Sequence, residues 1–459
     1  MNCGPSLPAG ILIRTSTQLH PMKVALVNSR QDRAGVNIRH HIEQLLEGPQ
    51  TQTFRDSGRT YDFVEVKERI IHAVVADAVS ESDLVIFISR HSSVNPLPIL
   101  TVHGTGNYGV AELGGSNRTL APTAPAMMQA VLRQLVRTCP EGYRVAYEVT
   151  HHGPTGLDRP SFFVEIGSTE KEWTDQAAGK AVAESVLAAA PIQAIPLIGF
   201  GGTHYAARQT DLALTTRGAF GHIAHTREIA TIDPEMVRAM QEKSGAVGVY
   251  IDRKALPKPD LSRITGLLEG LGIPVYSGSE IAAMGHIPYE KYVEARRMAE
   301  RTVPGARCYV HNLAGEGELV LAEINPTLLA EAARSDEAGL IRGLETLPAI
   351  HIATKDDRLV PSLVTYSVHI PQIINDLNTL CVKIIRNTEI TVSERDHLII
   401  TRVRFDPHKA RELGVPAGPY YKQLSSGQAV EIDGRRITPE MVSSGSEVKI
   451  HIPGLENIS

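Results

Sequence analysis

The 459-residue chain is 42% hydrophobic and 21% charged, the balance of an ordinary globular protein with room for a large core in two or three domains. No apolar run reaches the roughly 20 residues of a membrane span. Lys+Arg 46 against Asp+Glu 51 gives a net charge of −5, which does not advertise a nucleic-acid binder but leaves a local basic patch open. Four scattered cysteines (Cys3, Cys139, Cys308, Cys381) form no CxxC pair, which argues for a reducing, cytoplasmic setting and against a thiolate metal site.

The first 21 residues are too weakly apolar for a secretory signal, and "MKVALVNS" at Met22 reads as a natural start; residues 1–21 are expected to be a disordered leader. From Met22 to Tyr276 strands and helices alternate. "MKVALV", "YDFVEV", "SDLVIFISRHSS", "YRVAYEVT", "SFFVEIGS", "AIPLIGFGG", "GAVGVYID" and "IPVYS" read as strands. "GVNIRHHIEQLLEG", "KERIIHAVVADAV", "APAMMQAVLRQLVRTC", "TDQAAGKAVAESVLAAA" and "DLSRITGLLEGLG" read as helices. The alternation predicts an α/β fold, with a mixed, mainly parallel sheet covered by helices on both faces. Ligands of such sheets bind beyond the carboxyl ends of the strands. Residues 277–459 are less regular and are expected to form an α+β accessory domain. It has a helix in "PYEKYVEARRMAERTV", strands in "ARCYVHNL" and "ELVLAEI", and a hairpin at Asp433-Gly434.

Polar residues gather where the strands should end. "TVHGTGNYG" runs His103 into a loop with Gly104, Gly106 and Asn107; "YEVTHHGP" carries Glu148, His151 and His152; "SFFVEIGS" carries Glu165. "IGFGGTHYAARQTD" brings Gly201, Gly202, Thr203 and His204, and "TTRGAFGHIAHT" brings Arg217, His222 and His225, without a convincing helix. Any one of these histidines alone is more simply a solvated strand end. Several after strands or Gly-rich turns, with carboxylates and no cysteine, suit zinc in a catalytic role. No short zinc motif such as H-E-x-x-H is present.

"LTVHGTGN", "EVTHHGPT", "PSFFVEIGSTEKEW", "GFGGTHYAAR" and "GAFGHI", in this order, resemble the D-aminoacyl-tRNA deacylases of archaea and plants over residues 22–276. One departure is Ala207, where the family commonly has proline after "GGTHYA". The resemblance implies a zinc-dependent hydrolase that cleaves the ester between a D-amino acid, such as D-tyrosine, and the terminal ribose of tRNA. It also implies a core similar to peptidyl-tRNA hydrolase and purine nucleoside phosphorylases. In the tail, "ARELGVPAGPYYKQLSSGQAVEIDGRRITPEMV" is similar to part of ribonuclease Z, without that enzyme's HxHxDH motif. The segment could be a tRNA-handling element or a stabilising accessory.

On this reading His151, His152 and His204, with His103 as a further candidate, hold zinc. Glu148 or Glu165 is the general base, and His222 protonates the leaving ribose oxygen. N–H groups of Gly104, Gly106, Asn107, Gly201, Gly202 and Thr203 would face the oxyanion. Arg30, Arg33 and Arg39 would meet the acceptor stem, unless they are an ordinary solvated helix face. The protein is expected to act as a cytoplasmic monomer. A phosphorylase or nucleosidase using the same Gly loops for phosphate, and a catalytically inert tRNA binder, are the alternatives.

Overall fold

A computed structural model of the chain describes residues 21–47 and 58–458; the expected leader, apart from its last residue, lies outside them. The chain divides into two compact units, with the break after Ala282.

The first unit carries two sheets where one was expected. The larger has the order β2-β1-β3-β6-β4-β5, from β1 (Met22–Ser29), β2 (Arg59–Val66), β3 (Leu84–Ser92), β4 (Ile99–His103), β5 (Arg144–Tyr147) and β6 (Ser161–Ser168). All neighbours are parallel except β4 and β6, so the sheet is mixed and mainly parallel. The second sheet, β10-β9-β7-β8, is wholly parallel and joins β7 (Ile195–Phe200), β8 (Gly218–Ala224), β9 (Gly248–Ile251) and β10 (Val275–Tyr276). Parallel strands need crossovers, and helices Arg33–Glu47 (between β1 and β2) and Pro125–Thr138 (between β4 and β5) provide them, both packing on helix Gln176–Ala188, which leads from β6 to the second sheet. Helices Pro234–Ser244 and Lys258–Gly270 bury Met236, Val237, Ile264 and Leu268 in one cluster with the second sheet's Ile198, Phe200 and Val249.

One local reading is corrected. "KERIIHAVVADAV" is not a helix: only Ile70–His72 turn, as a 3-10 segment, and the rest is irregular. The chain lies across the sheet, burying Ile70, Ala73, Val75 and Val79 against Val27, Phe87 and Phe163 and leaving Val74 at 92% exposure. The apolar gain of that contact outweighs the local helical preference. Conversely, "GAFGHIA" forms the fully buried strand β8, whose two glycines hide the signal of a strand.

In the second unit, β11 (Arg307–Val310), β12 (Leu319–Glu323), β13 (Ala349–Ala353) and β14 (Leu359–Tyr366) form the antiparallel sheet β11-β13-β14-β12. A second antiparallel sheet joins β15 (Ile390–Glu394), β16 (His397–Phe405) and the last strand, β19 (Ser443–His451). Helices Pro326–Leu344 and Ile370–Thr388 share a core with these strands. Between β16 and β19, the segment with the ribonuclease Z-like sequence makes its own small core from Ala410, Val415, Leu424, Val430, Ile437 and Val442. Its hairpin pairs β17 (Val430–Ile432) with β18 (Arg435–Ile437), and Asp433 and Gly434 have φ of 49° and 74°, as a type I′ turn requires.

Candidate active site

Strand register builds one polar face from residues far apart in sequence. In the β3–β6 ladder Ser89 stands beside Glu165, and in the β4–β6 ladder Thr101 does. Side chains two residues apart share a face, so His91 on β3 and His103 on β4 are carried to the same side as Glu165. The β5 ladder runs one residue further than the strand: Glu148 N–H donates to Val102 O at 3.1 Å, bringing Glu148 level with His103. His204, beyond β7, is stitched in by its carbonyl, which accepts from Val149 N–H at 2.9 Å.

Two histidines on the following loop are set by backbone geometry. His152 takes a left-handed φ of 44°, costly for a residue with a Cβ. It is held there by Gly106 N–H donating to its carbonyl at 2.9 Å. Gly153 follows because a Cβ there would lie 2.4 Å from Gly115 N and 2.6 Å from Ile71 O. The Nδ1–H groups of His103, His151 and His152 donate to the carbonyls of Gly104, Val149 and Gly153 at 3.1, 2.8 and 2.7 Å. A carbonyl only accepts, so each ring is fixed in one tautomer with Nε2 left bare. These three rings offer nitrogens within 4.8 Å of one another, a grouping that could hold a metal ion. His91, Glu148 and His204 form a second such group, and His103, Glu148 and Glu165 a third.

The carboxylates face imidazoles almost exclusively. Glu148, 1% exposed, has its oxygens 3.1 Å from His91 Nδ1, 3.0 Å from His204 Nε2 and 3.5 Å from His151 Nε2. None of these approaches has hydrogen-bond alignment, so both Glu148 oxygens, like His103 Nε2, are buried without a partner. Glu165 is held by Ser89, whose Oγ–H donates to Oε1 at 2.6 Å, and lies 3.5 Å from His103. Burial opposes charge on Glu148, but the His204 and His91 imidazoles outweigh it and hold its carboxyl well below the usual range. Burial likewise opposes charge on His91 and His103, but Glu148 beside the first and Glu165 beside the second raise both. Burial and the neighbouring His152 and His103 rings push His151 well below its ordinary value, and burial with His103 pushes His152 down to about 4. An orphaned, buried set of nitrogen and oxygen donors fits a cation better than it fits water or a packed core.

Of the expected site residues, the structure brings together His103, Glu148, His151, His152, Glu165 and His204. His222 is elsewhere engaged: in the buried strand β8, its Nε2–H donates to Ala121 O at 2.9 Å and its Nδ1 pairs with Thr150 Oγ1 at 3.1 Å. Burial lowers it to about 4, so it is a neutral core histidine and not a proton donor for the cluster. The expected oxyanion donors are also largely committed. Gly106 N–H bonds to His152 O, Asn107 N–H to Thr119 O, Gly201 N–H to Ala224 O and Gly202 N–H to Thr226 Oγ1. Gly104 serves packing, since a Cβ there would lie 2.6 Å from Thr123 Cγ2; Thr203 is exposed next to His204. Arg30 pairs with Glu65, Arg33 with Glu170, and Arg39 with Glu43 at 2.7 Å, so these three are neutralised by carboxylates. His91 is the residue the sequence reading passed over. It lies inside "VIFISRHSS", where a lone histidine at a strand end carries no local signal.

The cluster opens into a cleft of about 350 Å³ at the carboxyl ends of β1, β3 and β6, lined by His91, His151, His152, Glu165 and His204 among others.

A family model described as D-aminoacyl-tRNA deacylase matches residues 78–276. The chain is 60% identical over 439 residues to a D-aminoacyl-tRNA deacylase of Methanoregula boonei, covering 95% of this chain and 100% of that one. It is 48% identical over 435 residues to the protein of that name from Methanoculleus marisnigri, with 95% and 99% covered. A shorter relative of the same name from Methanosarcina mazei is 39% identical over 278 residues, 93% of its length but 56% of this chain. Among solved structures, the conserved protein of unknown function AF0625 matches 57% of this chain and 96% of its own, at 31% identity and a TM-score of 0.51.

Proposed function

This chain belongs to the D-aminoacyl-tRNA deacylase family, and on that premise we propose that its His/Glu cluster holds zinc and hydrolyses D-tyrosyl-tRNA among its substrates. The protein is a hydrolase of the aminoacyl-tRNA ester bond. The observation that carries the zinc reading is the convergence of His103, His151 and His152 nitrogens within 4.8 Å of one another, with His103 Nε2 buried and without a hydrogen-bond partner.

His103, His151 and His152 would hold the metal. Each has its Nδ1–H on a backbone carbonyl, the outer support that metal-binding imidazoles use. Burial keeps His151 and His152 in the neutral form that ligation needs. Bound zinc would supply Lewis-acid polarisation of an ester carbonyl and lower the pKa of a water molecule to about 7. His204, the most exposed of the set at 36%, has Nε2 3.0 Å from Glu148. It would take the proton of the attacking water and return it to the leaving ribose oxygen, while Glu148 stabilises the imidazolium. Glu165, fixed by Ser89 and 3.5 Å from His103 Nε2, would offer the metal a carboxylate oxygen beside that nitrogen.

No helix among the described residues is long and apolar enough to cross a membrane. The enzyme would work as a cytoplasmic monomer, where charged tRNA is found. Residues 22–276 would be the catalytic domain. The shorter Methanosarcina mazei relative carries the same name over about that length, which supports an accessory role for residues 277–459.

The test follows amino-acid release from D-Tyr-tRNA and L-Tyr-tRNA, with and without chelator and after zinc is restored, together with the zinc content of the purified protein. Selective loss of the D ester that chelation stops and zinc restores supports the reading, as does a metal content that falls in His151→Ala. Turnover indifferent to chelation, in a protein that holds no zinc, would overturn the metal assignment.

A further inference from the structure

The cleft over the cluster is also lined by Asp32, Arg69, Arg90 and Arg227. Arg227 lies 3.1 Å from Glu228. Among the described residues, Arg69 and Arg90 have no carboxylate within ion-pair distance, in contrast to Arg30, Arg33 and Arg39. Arg90 is half-buried, with its guanidinium 5.0 Å from the centre of the Trp173 ring. That ring is itself fixed: Trp173 Nε1–H donates to the carbonyl of His91 at 2.9 Å. The cation is therefore mounted on a rigid platform beside the cluster. Asp32 does not quench it through hydrogen bonding, because its two oxygens accept the backbone N–H groups of Gly35 and Arg90 at 3.0 and 2.9 Å.

Asp32 feels the Arg90 charge, but no carboxylate occupies the guanidinium's donors, which are left for an anion from the ligand, and its planar fork suits a phosphate. Resting on the deacylase reading, the anion closest to the reacting ester is the 5′-phosphate of the same terminal nucleotide. We propose that Arg90, with Arg69, grips this phosphate while the histidines work on the ester across the same ribose. The two arginines are positioning residues, which make the enzyme read an aminoacyl nucleotide end rather than any amino-acid ester.

The test compares the D-tyrosyl esters of adenosine and of adenosine 5′-monophosphate, with D-Tyr-tRNA alongside. Wild-type enzyme should favour the phosphorylated ester by about tenfold or more in kcat/KM, mostly through KM. Arg90→Gln and Arg69→Ala should each cut that ratio severalfold, and the double variant should bring it close to one. For D-Tyr-tRNA, the salt dependence of kcat/KM should flatten in the same variants. Arg69 is exposed, so Arg69→Ala keeps the test open if the Arg90 variant fails to fold. No preference for phosphate in the wild type, or one undiminished in the variants, would sink the grip while leaving the deacylase intact. If neither small ester turns over, a KM for D-Tyr-tRNA unmoved by the double variant refutes it. Wild-type enzyme inert toward D-Tyr-tRNA as well would instead bring down the reading beneath it.

Discussion

Each unit buries a knot of charge, and the two knots are built on opposite principles. In the C-terminal unit Arg402, 7% exposed, donates from Nη2 to Glu331 at 2.6 Å and from Nε to Glu389 at 2.9 Å. Every charge there meets its opposite along hydrogen bonds. In the N-terminal unit Glu148 is buried more deeply, yet faces only imidazoles and leaves both oxygens unsatisfied. The first knot holds the fold. The second holds a reserve of bonding capacity that a ligand can use, and it opens on a cleft. A buried charge on its own says little; whether its lone pairs are already consumed separates structure from chemistry.

The contrast breaks most visibly in catalysis. Glu148→Gln should lower the rate of D-Tyr-tRNA hydrolysis by roughly a thousandfold. Its urea midpoint should fall modestly, because, against burial, the His204 and His91 imidazoles hold the carboxyl charged below its usual range and Gln gives up that attraction. A large drop in stability with activity retained would assign Glu148 to the fold instead. Arg402→Met should do the reverse. It takes from Glu331 and Glu389 their hydrogen-bonded guanidinium, leaving Glu331 only Arg334 at 3.4 Å, and should cost the C-terminal unit about 3 kcal/mol in denaturant, with hydrolysis per folded molecule unchanged.

A smaller effect comes from two histidines that burial holds neutral at about 4, His222 in the first unit and His351 in the second. Their ordinary value is 6.5, so between pH 6.5 and 4 the unfolded chain takes up protons that the folded chain refuses. Their stability contribution is complete above pH 6.5 and is lost as pH falls; each should cost about 2 kcal/mol between pH 7 and 5. Replacing either with a neutral isostere should flatten the melting temperature against pH over that window. The smallest change is at the hairpin: Gly434→Ala, at a φ of 74°, should cost about 1 kcal/mol and leave hydrolysis untouched.

Much of the site could be read ahead because its histidines follow buried strands, and a polar pair such as His151-His152 interrupts an apolar run conspicuously. His91 could not be read that way. It becomes a site residue only because β3 lies next to β6, which puts it on the face with Glu165. The glycine loops were misread for the opposite reason. Their composition suggests free N–H groups, but folding gives four of those groups protein acceptors. The basic surface failed similarly, since Glu65 and Glu170 reach Arg30 and Arg33 from distant parts of the chain.

By itself the sequence determined the alternation of strands and helices, the α/β class, the hairpin at Asp433-Gly434 and the placing of polar residues at strand ends. All are consequences of local periodicity and turn chemistry. The tertiary structure decided that there are two sheets in the first unit, that residues 67–79 lie across a sheet as irregular chain, and that His222 belongs to the core. It also decided which donors are spent and which remain bare. Those outcomes depend on register between strands separated by tens of residues, and on burial, which sets both the cost of an unmet hydrogen bond and the charge of an imidazole.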